Sequence, residues 1–132
     1  MYEDFLENFQ TNTPISKRDI EDVETMLRIK FPVDYVEFML QTNGGEGTIG
    51  ESGYLRLWKI GEIVQGNVEY SVHELAPGLI IIGSDGGGAA YGYNFQNESS
   101  TLVEVDFIGM DIDSPFYSTK KFIEFIEYLF NN

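Results

Sequence analysis

Apolar residues recur at helical spacing in the segment that begins at residue 16. Ser16 is a natural N-cap, and Asp19 stands three residues later, at the spacing of a capping box. The apolar positions that follow lie on one helical face and are Ile20, Val23 and Leu27. The pattern predicts a helix over residues 16–30.

Helical patterns also lie on both sides of this segment. Pro32 disfavours helical geometry at the preceding residue and can itself occupy a first helical turn, so a second helix is predicted over residues 32–42. The run Asn43-Gly44-Gly45 ends it, because these residues tolerate a left-handed conformation. Residues 1–10, with three apolar positions among acidic ones, predict a short amphipathic helix; the apolar positions are Phe5, Leu6 and Phe9.

The middle of the chain changes to glycine-punctuated, β-prone segments. Four strands of one sheet are predicted there, at 54–58, 79–82, 89–95 and 102–108. Residues 59–73 contain enough apolar positions for a helical turn, although two glycines weaken it. The sequence Ser-Asp-Gly-Gly-Gly at 84–88 predicts a turn between two strands, and residues 45–50 read as a flexible connection.

A last helix is predicted near the end of the chain, with Ser118 as its N-cap. Its broad apolar face consists of Phe122, Ile123, Phe125, Ile126, Leu129 and Phe130. Helices first, then strands, then one helix indicate an α+β fold rather than alternating parallel units. No linker or repeat interrupts the pattern, so we expect a single domain over residues 1–132.

The balance of charge limits the classes of partner. The chain carries 22 acidic and 8 basic residues, a formal net charge of −14, which opposes binding to nucleic acid and to anionic membrane surfaces. There are no cysteines for disulfides or thiolate metal sites. No apolar run approaches a membrane span, and the acidic start does not resemble a signal peptide, so a cytoplasmic location is expected.

Residues 60–119 contain no Lys or Arg at all. The carboxylates of this stretch are Glu62, Glu69, Glu74, Asp85, Glu98, Glu104, Asp106, Asp111 and Asp113. One interpretation is that acidic residues merely aid solubility. The other is a surface that meets a basic partner, whose association it would steer.

The candidate chemical motifs are weak. Gly45 to Gly50 satisfy G-x-G-x-x-G but follow a helix rather than a strand, and Glu46 would repel a phosphate, so no nucleotide site is predicted. His73 is the only histidine, which leaves no multi-histidine metal site. The segment 111–114 lacks the ligand spacing of a calcium loop. We therefore predict no catalytic residue, no cofactor and no metal.

The 84–88 turn and the aromatic residues of the predicted strands each allow more than one interpretation. Asp85 could cap its own turn, the 84–88 turn could bind an anion, or its tip could contact a partner; capping is favoured. Strand aromatics can belong to the core or form a platform for sugars, and core packing is favoured for Trp58, Tyr54, Tyr91 and Tyr93. Trp58 is also a candidate anchor at an interface.

The order of these features resembles the SUKH superfamily, which includes the yeast Smi/Knr-type cell-wall regulators. The matching positions run from Ile20, Val23 and Glu24 through Phe31-Pro32, Asp34-Tyr35, Phe38-Met39-Leu40 and Asn43-Gly44-Gly45 to Leu57-Trp58, Ile60, Glu62-Ile63, Asn67, the 82–87 turn, Tyr91-Gly92-Tyr93 and the 122–126 helix. The resemblance implies N-terminal helices and a C-terminal helix packed on a twisted, mainly antiparallel sheet. It also implies binding of a partner, because many bacterial members are immunity proteins that bind toxins.

The leading hypothesis is an immunity protein that neutralises a cognate polymorphic toxin by steric and electrostatic occlusion, with nuclease as one candidate activity of that toxin. The alternative is a regulatory or scaffold module of the cell-wall-synthesis-regulator type, and an enzyme such as a hydrolase ranks third. The predicted partner is a protein with a basic surface, and a monomer is favoured. The predicted partner-binding residues are Trp58, Glu62, Glu69, Glu74, Asp85, Asp111 and Asp113.

Overall fold

Seven antiparallel strands form one sheet, and their spatial order follows their order along the chain. A computed structural model describes residues 2–96 and 100–132, so Glu98 of the acidic stretch lies outside the described residues. The strands are β1 (Phe9–Thr11), β2 (Gly45–Ile49), β3 (Gly53–Leu57), β4 (Leu79–Ser84), β5 (Ala89–Asn94), β6 (Thr101–Asp106) and β7 (Tyr117–Thr119). The helices are α1 (Lys17–Leu27), α2 (Val33–Thr42), α3 (Ile63–Glu69), α4 (Val72–Leu75) and α5 (Phe122–Asn131), with a 3-10 turn at Ile60–Glu62.

The predicted capping box is present at the start of α1. The Ser16 Oγ accepts a hydrogen bond from the Asp19 backbone N at 3.3 Å, and the Asp19 carboxylate accepts one from the Ser16 backbone N at 3.1 Å. The helix ends earlier than predicted, because Arg28 adopts a left-handed conformation with φ of 59°. The buried Glu24 carboxylate then accepts the Phe31 backbone N at 2.7 Å, which holds the chain in its turn towards α2.

One carboxylate connects the starts of α2 and α5. The Asp34 Oδ2 accepts a hydrogen bond from the Phe122 backbone N at 2.8 Å, and its Oδ1 accepts one from the Tyr35 backbone N. Both helices bury aromatic residues against the sheet. Phe38 is 5% exposed and Phe125 1% exposed, as expected for core positions.

The two faces of the sheet carry separate hydrophobic clusters, because successive residues of a strand point to opposite sides. On β5, Tyr91 and Tyr93 join the larger cluster, which α1, α2 and α5 cover. Ala90 points the other way and joins a smaller cluster with Val72 of α4 and Met110. The predicted α+β fold, with helices packed on an antiparallel sheet of at least four strands, is confirmed.

Two predictions for the first half of the chain are wrong. Residues 2–8 form turns rather than a helix, and residues 9–11 form β1, which pairs with β2. Residues 45–49 are not a flexible connection but β2 itself. Both errors have one cause. A Cβ added at Gly45 would collide with the Gln10 backbone O, and one added at Gly47 would collide with the Asn8 backbone O. These glycines therefore allow a close strand approach that local periodicity does not reveal.

The predicted cap of the last helix is also wrong. Ser118 lies in β7, paired with Val103 of β6, and the N-cap residue of α5 is Lys121. Pairing within the sheet therefore outweighs the local preference of Ser118 for a helix N-cap. Strand β6 ends at Asp106 rather than 108, because residues 107–109 turn away from the sheet.

Candidate functional site

A concave groove of about 810 Å³ opens on the side of the sheet that faces away from α1, α2 and α5. Helix α4 and residues 107–112 cover this side over β4–β6, whereas side chains over β1–β3 stay accessible. We define the groove by six of its lining residues, Glu46, Arg56, Trp58, Glu62, Glu69 and Tyr70.

An ion pair forms the floor of the groove. Glu46 of β2 and Arg56 of β3 are directly opposite in the strand register, with Gln10 of β1 beside them. The Arg56 Nη2 lies 3.0 Å from the Glu46 Oε2, and the Tyr54 hydroxyl donates to the same carboxylate. The hydrogen bond from Tyr54, and then that from Arg56, lowers the pKa of Glu46. The floor is therefore an internally neutralised polar surface.

Two aromatic rings, Trp58 and Tyr70, line one end of the groove, and Phe107 packs against Tyr70. Trp58 and Tyr70 stack with ring centroids 6.2 Å apart and planes inclined by 16°, and Tyr70 stacks on Phe107 at 4.4 Å and 29°. We call these three residues the aromatic stack. Gly66 of α3 lies directly against the indole, since a Cβ added there would come within 2.5 Å of the Trp58 Cζ3. A glycine inside a helix costs stability, and here it permits α3 to lie on the ring.

Two predicted carboxylates stand beside this contact. Glu62 precedes Gly66 by four residues and Glu69 follows it by three, which places them one turn away on either side along the same helical face. The Glu62 Oε1 accepts the Lys59 backbone N at 3.1 Å, and the Glu69 Oε1 accepts the Gln65 Nε2 at 3.2 Å. The structure therefore brings together Trp58, Glu62 and Glu69 of the predicted set.

Asn67 fixes the position of α3 against the sheet. Strand β3 pairs with β4 over only two residue pairs, and beyond them the Asn67 side chain takes the place of a strand. Its amide donates to the Ile81 backbone O at 2.9 Å and accepts from the Ile81 backbone N at 2.8 Å. It also donates to the Ile63 carbonyl at 2.8 Å. A buried side-chain amide thus satisfies both backbone groups of one strand residue.

The other four predicted residues lie outside the groove. Glu74 lines a separate, more apolar cavity beside α4, and both Asp111 and Asp113 line another beside the 107–113 loop. The Asp85 carboxylate accepts hydrogen bonds from the backbone N atoms of Gly87 at 2.8 Å and Ala89 at 3.1 Å, so the turn-capping interpretation is confirmed. The predicted set is distributed over several places on the surface.

Three groove residues were missing from the predicted set. Glu46 and Arg56 meet only because β2 and β3 pair, and a segment interpreted as a connection gave no sign of that pairing. Tyr70 follows α3 by one residue, and its position in the sequence does not distinguish an exposed ring from a buried one. Of the aromatics considered as platforms, Tyr91 and Tyr93 are buried, whereas Trp58 and Tyr54 are half-buried.

Metal and membrane features were sought in the described part of the chain. Within residues 2–96 and 100–132, no group of three or more His, Cys, Asp or Glu side chains is arranged to hold a metal ion. Over the same ranges, none of the helices combines the length and the apolar character needed to cross a lipid bilayer.

The fold and groove define an α+β protein with an antiparallel sheet that is open on part of one side. The chain belongs to the SMI1 / KNR4 family (SUKH-1), whose sequence model matches residues 14–128. It is also similar to the uncharacterized protein YnaB of Bacillus subtilis (strain 168), with 34% identity over 76 residues. That match covers 57% of this chain and 47% of the relative, so the chain spans about half of the relative's length. The resemblance to the SUKH superfamily is confirmed.

Proposed function

We propose that this protein is an immunity protein that binds a cognate toxin and neutralises it by occlusion. The groove carries this proposal, because it is a preformed concavity that combines an aromatic stack with unneutralised carboxylates. Tryptophan and tyrosine are enriched among the residues that dominate binding energy at protein interfaces. Family membership adds support, since resemblance to the superfamily implies binding of a protein partner.

Charge supports a basic partner. The chain has a net charge of −14, and the stretch from residue 60 to 119 supplies acidic residues without any Lys or Arg. A large net negative charge raises the association rate of a cationic protein and repels nucleic acid. A toxin that binds nucleic acid through a basic surface would lose access to its substrate when that surface is covered. The mechanism asks for binding alone and for no chemical step.

The first experiment is co-expression with the candidate toxin, taken as the basic domain encoded by a neighbouring gene. We expect the protein to restore growth of cells that express this domain, and to bind it in a stoichiometric complex by calorimetry. The double variant Glu62→Lys with Glu69→Lys should slow association and weaken its dependence on salt, because exposed charges act mainly on the encounter rate.

A matched control carries the same change of charge elsewhere. Glu37 of α2 and Glu127 of α5 are exposed on helices of the opposite face, and reversing both to Lys should leave association unchanged. Thermal unfolding must accompany each measurement, since Glu62 also caps the 3-10 turn. Loss of protection in the control pair but not in the groove pair would reject the groove as the interface. Failure to bind or protect against any neighbouring toxin would favour the regulatory module.

A further inference from the structure

The exposed ring surface at the end of the groove has no partner within the described chain. Tyr70 is 45% exposed although it lies between Trp58 and Phe107, and Trp58 is half-buried with α3 against one part of its indole. The indole N–H donates to no acceptor in residues 2–96 and 100–132. The stack therefore presents aromatic surface and one hydrogen-bond donor at a fixed position.

Negative charge lies on both sides of this surface. Seven residues separate Glu62 and Glu69, which corresponds to about 10 Å along the helix axis, with Gly66 and the indole between them. Each carboxylate accepts a hydrogen bond through one oxygen, and both residues are exposed. In the part of the chain that the structure describes, neither forms an ion pair with a Lys or Arg.

We infer that this end of the groove is a receptor for an arginine side chain on a segment of the partner protein. The inference rests on the proposed function and names the chemistry of the partner. A guanidinium is flat and weakly hydrated, stacks on aromatic rings, and presents donors in its plane to carboxylates at its edge. Stacked rings with carboxylates beside them match each of these properties. The compact ammonium of lysine matches the charge but not the shape.

A lysine beside Trp58 and Glu62 restricts the rest of the segment. Arg56 is neutralised by Glu46, whereas Lys59 also lines the groove and forms no ion pair among the described residues. A polycationic segment would therefore meet an unpaired like charge. The occupant is a segment with one arginine at the aromatic stack and neutral or acidic residues beside it, where Lys59 lies.

Trp58 is the single tryptophan of the chain, so its fluorescence reports directly on this site. The experiment titrates the whole protein with a blocked peptide, Gly-Ser-Arg-Ser-Gly, and with two matched peptides that carry citrulline or lysine in place of arginine. Citrulline keeps the shape of arginine without its charge. We expect a saturable change in emission with the arginine peptide, a weaker one with lysine, and none with citrulline. Equal responses to arginine and citrulline, or no response to arginine, would overturn the inference.

Variants test the named residues. The double variant Glu62→Gln with Glu69→Gln keeps both hydrogen-bond acceptors and should lower the affinity for the arginine peptide about fivefold. The variant Lys59→Gln should raise this affinity, because it removes the repulsion between Lys59 and the arginine. The control pair Glu37→Gln with Glu127→Gln should leave the affinity unchanged. Equal weakening by the control pair would show a general charge effect and overturn the inference. The peptide assay involves no toxin, so the two proposals can fail separately. If the protein protects cells but does not bind the peptide, the proposed immunity function stands and the inferred arginine site is rejected.

Discussion

Aromatic residues serve the two sides of the sheet in different ways. On the helix-covered side, Tyr35, Phe38, Tyr93, Phe122 and Phe125 form a buried cluster with inclined ring planes, such as 63° between Tyr35 and Phe122. On the other side, the aromatic stack is nearly parallel, at 16° and 29°. Inclined rings place edges against faces and fill a volume from all directions, whereas parallel rings leave outer edges and faces accessible.

The comparison separates stability from recognition. Every ring of the buried cluster is at most 5% exposed, so its removal leaves a cavity inside the protein. Tyr70 of the aromatic stack is only partly covered by its neighbours. If its ring is removed, water can fill the space that the ring occupied. The same kind of side chain is therefore expected to support the fold on one side and binding on the other.

The largest expected effect is loss of the central ring of the buried cluster. Phe122 is fully buried, contacts the rings of Tyr2, Tyr35, Phe38 and Phe125, and its backbone N binds Asp34. The substitution Phe122→Ala should lower the free energy of unfolding by about 3–5 kcal/mol, because it removes apolar contacts and leaves a cavity. Chemical denaturation measures the change.

The counterpart on the exposed side is Tyr70→Ala. It removes two ring contacts from a side chain that is 45% exposed, and should cost only about 1 kcal/mol. It should nevertheless change the fluorescence of Trp58. If Tyr70→Ala lowers the free energy of unfolding as much as Phe122→Ala does, the two groups of aromatic residues do not differ in their role in stability.

The next effect concerns Asn67, which joins the wall of the groove to the sheet. The substitution Asn67→Ala leaves the buried Ile81 backbone N and O without their partner, and each such group costs about 1–3 kcal/mol. We expect a clear loss of stability and faster hydrogen exchange at the Ile81 amide. The exposed Asn8, changed to Ala, is the control and should have little effect. Unchanged exchange at Ile81 would contradict the role of Asn67 as a substitute strand.

A gain in stability is expected inside the buried cluster. The Tyr35 and Tyr93 hydroxyls are buried and have no hydrogen-bond partner in the described residues, and burial raises the pKa of both phenols well above its usual range. An unpaired buried hydroxyl costs free energy, so Tyr35→Phe should raise the free energy of unfolding by about 1 kcal/mol.

The matched change is Tyr128→Phe, where the hydroxyl donates to the Glu104 carboxylate at 2.9 Å. It should lower the free energy of unfolding by about 0.5–1.5 kcal/mol, so the two substitutions differ in sign. Thermal unfolding of both proteins measures the difference. Destabilisation by Tyr35→Phe would indicate that its hydroxyl has a partner in solution.

The smallest effect is confined to the floor of the groove. The substitution Tyr54→Phe removes the hydrogen bond that contributes most to lowering the pKa of Glu46, so that pKa should rise towards its ordinary value. A lowered pKa in the folded state stabilises the protein above the unfolded pKa, and this contribution disappears as the pH falls through the folded pKa. The variant should therefore lose part of its pH dependence in the acidic range. NMR titration of the Glu46 carboxyl checks this, with Tyr70→Phe as the unchanged control.

Sequence periodicity predicted the elements whose apolar face is continuous. The helix of Ile20 and Val23 and that of Phe122 and Phe125 were found because one side of each is buried along its whole length. Strands β1, β2 and β7 were not predicted, because several of their positions are exposed or glycine and leave no alternating apolar pattern; these positions are Gln10, Thr11, Gly45, Gly47, Thr48 and Ser118. The close approach at Gly45 depends on β1, which lies more than thirty residues away, and no local signal carries that information.

The candidate site was predicted only where it lies on one continuous segment. Trp58, Glu62 and Glu69 fall within twelve residues, and α3 places them together. Glu46 belongs to another strand, so its position beside Arg56 follows from register rather than from sequence. Asp111 was assigned to the same surface from its charge alone. The charge of a residue does not show which side of the protein its side chain faces.

The sequential order of the strands has a consequence for synthesis on the ribosome. Each strand from β2 to β7 pairs with the one made just before it, so the nascent sheet can grow strand by strand with one open edge at a time. The β1–β2 and β3–β4 connections contain helices, whereas β2–β3 and β4–β5 are short hairpins. The hydrogen bond between Asp34 and the Phe122 amide joins residues 88 positions apart. We therefore expect α2 to remain loosely packed until α5 emerges, and the slow step of folding to be the docking of this last helix.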